Sequence, residues 1–189
     1  MMNTSVEEAP YAEWSAALAG IRARAGRLVA PLSPAERQRT PRAEAWSVDQ
    51  ILEHLVISNN GYAESMARAI DAAATRGGSA KAWKPTFVGR ILRQSVDPSS
   101  TRRLRSPKKS RPWPAIAPGV LDRFIGSVDA LEQLLHRSRE AGAASQRFSS
   151  PLAPIIRLNV GDGFAVCVAH ARRHLLQIER TITDVQRLG

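Results

Sequence analysis

Among 189 residues the sequence holds a single cysteine, Cys167. An intrachain disulfide is therefore excluded, and a chain of this length buries a sufficient core without one. That fits a reducing cytoplasm, although an exported protein without disulfides would look the same. Long apolar runs are missing too. The best, Gly163 to Ala169, falls well short of the roughly 18–20 uncharged residues that span a bilayer, and Arg172 and Arg173 follow it closely. The opening stretch MMNTSVEEAPYAEW is acidic and has no basic segment leading into an apolar one, so it does not read as a signal peptide. The composition thus predicts a cytoplasmic protein with no membrane segment.

Acids are scarce, at 17 against 27 Lys and Arg, for a net charge of +10. Such a balance first suggests nucleic acid or another anionic surface. Its distribution narrows the meaning. Residues 76–111 hold 11 of the 27 bases and one acid, Asp97, while the remaining 16 bases face 16 acids. The excess sits in one segment.

No stretch alternates with the period of two that marks a strand, whereas four stretches carry helical periodicity. The expected helices cover about 11–29, 48–76, 119–140 and 160–187. A capping box at Ser33–Glu36 predicts a short turn of helix after the first. The second opens on a serine N-cap, Ser47, three residues before Gln50, with Trp46 placed to staple onto Ile51. Between about 77 and 118 six prolines rule out a long helix, leaving room for a short one over Phe87–Val96. The expected fold is all-α: one domain over 1–189, a four-helix bundle with a long basic, proline-rich crossover between its second and third helices.

The last helix carries the candidate chemistry. Phe164, Val168, Ala171, Leu175, Ile178, Ile182 and Val185 form its core stripe, and His170 and His174, four apart, share a face at the edge of that stripe. Two imidazoles so spaced reach one ion, because Cβ atoms about 5–6 Å apart suit metal–nitrogen bonds of about 2.0–2.1 Å. His54, early in the second long helix, is able to add a third ligand. Three neutral imidazoles and a water would leave an open, catalytic kind of site. The same spacing suits half-buried histidines bonded to backbone. On spacing alone both readings stand, and His54 by itself reads as structural.

The surroundings add to this. Trp46-Ser-Val-Asp-Gln-Ile-Leu-Glu-His54-Leu resembles a helix start of the DinB/YfiT-like superfamily. Asn159-Val-Gly-Asp-Gly-Phe, continuing into His170-Ala-Arg-Arg-His174-Leu-Leu-Gln177, resembles that superfamily's final helix. Lys84-Pro-Thr-Phe, Ser95-Val-Asp-Pro98 and Ser106-Pro-Lys-Lys-Ser-Arg-Pro112 are similar to the crossover of one DinB subgroup. The resemblance spans roughly residues 11–187. It implies one divalent metal (zinc, nickel or iron) on His54, His170 and His174, and a homodimer. It also implies activity as a metal-dependent hydrolase or as a transferase that uses a low-molecular-weight thiol, on a small-molecule substrate.

Other residues carry weaker signals. Cys167 stands three before His170, within possible reach of a metal, but its place beside the apolar stripe reads as core. His136 reads as a solvated residue near a helix C-terminus. Glu53 and Glu64 flank the His54 face and would serve to orient a ligand or act as a base, without either being assigned. Arg172, Arg173 and the Arg102–Arg111 cluster read as solvated surface, as a nucleic-acid contact with Trp83, Phe87 and Trp113 among the bases, or as the attraction for an anionic thiol or carboxylate substrate. The aromatics are expected to pin the crossover to the bundle. The rival to an enzyme is a non-catalytic bundle that binds nucleic acid or another anion through this segment.

Overall fold

Apolar stripes at helical spacing need a facing surface, and four helices here supply one another's. A computed structural model describes residues 10–77, 83–100 and 106–188. Its long helices are α1 (Tyr11–Val29), α3 (Val48–Thr75), α5 (Val120–Glu140) and α6 (Val160–Gln186). The short α2 (Pro34–Gln38) links α1 to α3, and α4 (Phe87–Ser95) and a 3₁₀ turn at Lys108–Ser110 lie between α3 and α5. Two strands, β1 (Arg147–Ser149) and β2 (Arg157–Asn159), join α5 to α6. Among the described residues no helix is long and apolar enough to cross a membrane.

Capping sets the helix starts. At α3 the Ser47 hydroxyl accepts from the Gln50 N–H at 3.2 Å and the Gln50 side chain accepts from the Ser47 N–H at 3.0 Å, as the sequence predicts. The Ser33–Glu36 box opens α2 in the same way. At α6 the reciprocal pair is Asn159 and Asp162. Beyond α3 the chain turns through Gly77, whose φ of 80° is a left-handed conformation that glycine adopts without strain.

In cross-section α3 packs along α5 and α6, and α1 packs along the same two helices from the other side. Consecutive members α1 and α3 are thus diagonal, as are α5 and α6, a less common arrangement than the up-and-down bundle with neighbours in sequence order. One apolar cluster joins all four, with Ile51, Leu55, Phe124, Leu131, Phe164 and Ile178 fully buried. The strands depart from expectation. Phe148 pairs with Leu158 in an antiparallel ladder, both buried, between exposed Arg147 and Arg157. At three residues apiece the strands are too short for alternation to register.

Between α3 and α5 the chain is held by specific polar contacts. The Trp83 indole donates to Asn159 Oδ1 at 2.9 Å and Asn159 Nδ2 donates to the Lys84 carbonyl at 2.9 Å. The Asp162 carboxylate accepts from the Thr86 hydroxyl at 2.7 Å and from its N–H. Eleven residues further along each segment, Arg173 donates to the Asp97 and Ser100 carbonyls at 3.0 and 2.9 Å. Helix α4 therefore runs alongside α6. The approach is close: a Cβ at Gly89 would collide with the Asp162 carboxylate, and one at Gly161 with the Trp83 ring.

Trp83 does pin this segment, edge-on to Trp14 with centroids 5.2 Å apart. Phe87 and Trp113 do not, at 68% and 74% exposed. Phe87 lies on the side of α4 away from Gly89 and Leu92, which face the bundle. Gly78, Lys81, Arg102, Arg103 and Arg105 lie outside the described residues.

Candidate metal centre

The well-capped start of α3 and the middle of α6 meet side by side, and their histidines meet with them. His54 is 2% exposed, His174 9%, and His170 half-buried. His54 Nε2 lies 3.1 Å from His170 Nε2, and His174 Nε2 lies 3.0 Å from the same atom. One nitrogen from each ring falls within 4.8 Å of the others, which suffices to hold an ion. Three nitrogens bound at about 2.0–2.1 Å in tetrahedral directions would stand about 3.3 Å apart. The two gaps to His170 need to open only slightly, and the His54 and His174 nitrogens lie within 4.8 Å of each other.

The outer nitrogens settle the tautomers. His54 Nδ1 is 2.6 Å from the Ser110 carbonyl, and His174 Nδ1 is 2.8 Å from Gln177 Oε1. Both oxygens are acceptors, so each Nδ1 carries the proton and each Nε2 turns a lone pair inward. At most one proton, on His170, is left for three converging nitrogens. A buried cluster of lone pairs short of protons is the donor set a cation completes.

Burial dominates the electrostatics of all three rings. It lowers the His54 pKa, against the opposing pull of the Ser110 carbonyl. Burial and the neighbouring His54 bring His174 down to about 3, and burial, His174, His54 and Arg173 hold His170 well below its usual range. Neutral imidazole, the form that binds metal, is therefore the state at pH 7. Above the rings opens a cavity of about 800 Å³, within the usual range of small-molecule sites. Trp46, Leu92, Val96, Leu152 and Ile156 give it apolar walls. Trp46 also packs on the His54 ring, with centroids 5.0 Å apart.

These residues place the chain among known proteins. The family model of the DinB superfamily matches residues 17–178. The chain belongs to the DinB superfamily. Among solved structures this DinB-superfamily chain is similar to YfiT from Bacillus subtilis, described as "a probable metal-dependent hydrolase with an unusual four-helix bundle topology". The two share 16% identity and a TM-score of 0.61, covering 100% of this chain and 93% of that one, a likeness of fold. No curated protein is significantly similar.

The other residues singled out in the sequence fall elsewhere. Cys167 is buried in the apolar core, which pushes its thiol up to about 12, and it is no part of the histidine cluster. Glu53 pairs with Arg123 at 2.9 Å and Glu64 with Arg68 at 2.6 Å, both away from the cavity. His136 and Arg172 are exposed. Three participants escape the sequence reading. Ser110 acts through its carbonyl, which no side-chain pattern reveals. Gln177 follows His174 by three, the one spacing that hinted at its role. Trp46 packs on the His54 ring as well as serving the helix start.

Proposed function

We propose that this DinB-superfamily protein is a divalent-metal-dependent enzyme acting on a small molecule, with His54, His170 and His174 holding one zinc, nickel or iron ion. The convergence of three Nε2 atoms, two with their lone pairs turned inward by Ser110 and Gln177, carries the reading. When bound, such an ion supplies a Lewis acid that lowers the pKa of a water or thiol at neutral pH. The protein's own part is to fix the rings through their outer nitrogens and to surround the reacting position with apolar walls that limit water. Hydrolysis and transfer to a low-molecular-weight thiol are both served by this arrangement. Product analysis with and without added thiol separates them.

Metal content is the first test. Protein purified without chelator is expected to carry close to one equivalent of metal per chain. His170→Ala should abolish this while leaving the helical circular dichroism intact. Wild-type protein that neither carries nor takes up a divalent ion would end the proposal. The accompanying expectation of a cytoplasmic homodimer is checked by cell fractionation and light scattering.

A second reading rests on the exposed Phe87 and Trp113 beside the basic residues of 76–111. A non-catalytic bundle using them to hold nucleic acid would bind tightly at low salt and weaken steeply as salt rises. Absence of binding at low salt removes it.

A further inference from the structure

The cavity lining offers acceptors as well as donors: two serine hydroxyls give their protons to backbone carbonyls, and donors without a partner among the described residues are on Arg111 and Gln177. The Ser95 hydroxyl gives its proton to the Leu92 carbonyl at 2.7 Å, and the Ser110 hydroxyl to the Pro107 carbonyl at 3.1 Å. Tyr62 pairs with Ser150. Gln177 turns its oxygen to His174, so its amide N–H groups point elsewhere. Arg111 donates from Nε to the Ser106 carbonyl at 3.1 Å, and its terminal nitrogens have no partner among the described residues. Arg173 brings a second guanidinium to the wall. The acid lining the cavity is Glu44, exposed at the rim on a backbone with φ of 61°.

Charge decides between donors and acceptors. A divalent ion on three neutral imidazoles keeps its full charge, since no ligand is a carboxylate or thiolate. Two guanidiniums, those of Arg111 and Arg173, and the Gln177 side chain line the same cavity as the histidines, and among the described lining residues the acid is the solvent-facing Glu44. The lining also includes Leu92 of α4, Val96 just past its end, and Leu152 and Ile156 between the two strands, none offering a side-chain hydrogen bond. Resting on the metal reading above, we infer that the substrate is an amphiphilic anion. Its apolar body lies on the α4–hairpin wall, and its carboxylate or thiolate is held by Arg111 and the Gln177 amide toward the histidines. A cationic or uncharged ligand of equal size would leave the Arg111 and Gln177 donors unpaired.

Octanoate, acetate and octylammonium, titrated calorimetrically into zinc-loaded protein, separate the contributions of charge and apolar body. Octanoate should bind at least about tenfold more tightly than either of the others. Arg111→Gln should weaken octanoate about tenfold or more at unchanged zinc content. Should that variant fail to fold, Ser95→Asp, which adds a carboxylate to the cavity lining, should weaken it comparably. No octanoate binding, octylammonium binding as tightly as octanoate, or octanoate affinity untouched by both substitutions would overturn the inference. A wild-type protein that takes up no zinc fails the metal reading instead, and the same octanoate comparison on that protein still decides this one.

Discussion

The bundle helices and the segment between α3 and α5 both reach the histidines, but by different means. The helices bring the rings together by burying long apolar faces, a force spread over dozens of side chains. The connecting segment aims the His54 ring and helps wall the cavity, and polar attachments at Asp162, Arg173 and His54 hold it. Damage to a helix face should therefore cost the whole fold. Damage to the segment should change the site while the bundle persists.

The largest effect is expected in the bundle. Phe164, 1% exposed, lies under Trp14 at the start of α6. Phe164→Ala should lower stability by about 3–5 kcal/mol, and chemical denaturation should show metal binding and helicity lost together. Metal binding that survived unfolding of α6 would break the distinction.

Next is the attachment at Asp162, whose carboxylate accepts from Thr86 and from the Asn159 N–H. Asp162→Asn turns an amide NH2 toward donors and should cost about 2 kcal/mol at pH 7. Burial raises the Asp162 pKa above its ordinary 3.8, against bonds from Thr86 and Asn159 that lower it. The folded carboxyl therefore takes up its proton at a higher pH than the unfolded one. This group's contribution to stability is fullest below the unfolded value and is lost as pH rises through the folded one. Urea denaturation should accordingly show the gap between wild type and Asp162→Asn widening as pH is lowered from 7 toward 4.

A smaller and local change should follow at Gln177, a half-buried residue that orients His174. Gln177→Leu is expected to weaken zinc about tenfold, measured against a chromophoric chelator. The melting temperature of the chelator-treated protein should move little. Gln177→Glu keeps an acceptor for Nδ1–H and should retain the affinity.

The same contrast explains how much could be read in advance. The stripes of α3 and α6, the Ser47–Gln50 box and the i,i+4 histidines are local patterns, and the helices follow from them. That His54 joins the pair is implied by the resemblance to the DinB/YfiT-like superfamily, since no spacing along the chain links it to His170 and His174. The order in which the helices pack depends on which faces match across the bundle, and no spacing within one helix records that. Ser110 contributes a carbonyl, which every residue has. Asp162 looks like an ordinary first-turn acid until α4 is laid beside it. The hairpin strands carry one buried residue pair, too little for a period.

The smallest effect should come from the residue that most resembles a core anchor by type. Phe87 is as apolar as Phe164, yet it begins α4 on the side turned from the bundle and stands 68% exposed, beside exposed Val88 and Ile91. An exposed side chain loses little on truncation, because it gains little by burial. Phe87→Ser should change stability by no more than about 0.5 kcal/mol and leave zinc binding intact, since Leu92, on the other face of the same helix, and Val96 just past its end are the residues that wall the cavity. A loss comparable to that of Phe164→Ala would mean that Phe87 is covered in solution, and the connecting segment would then share the cooperative core it is here set against.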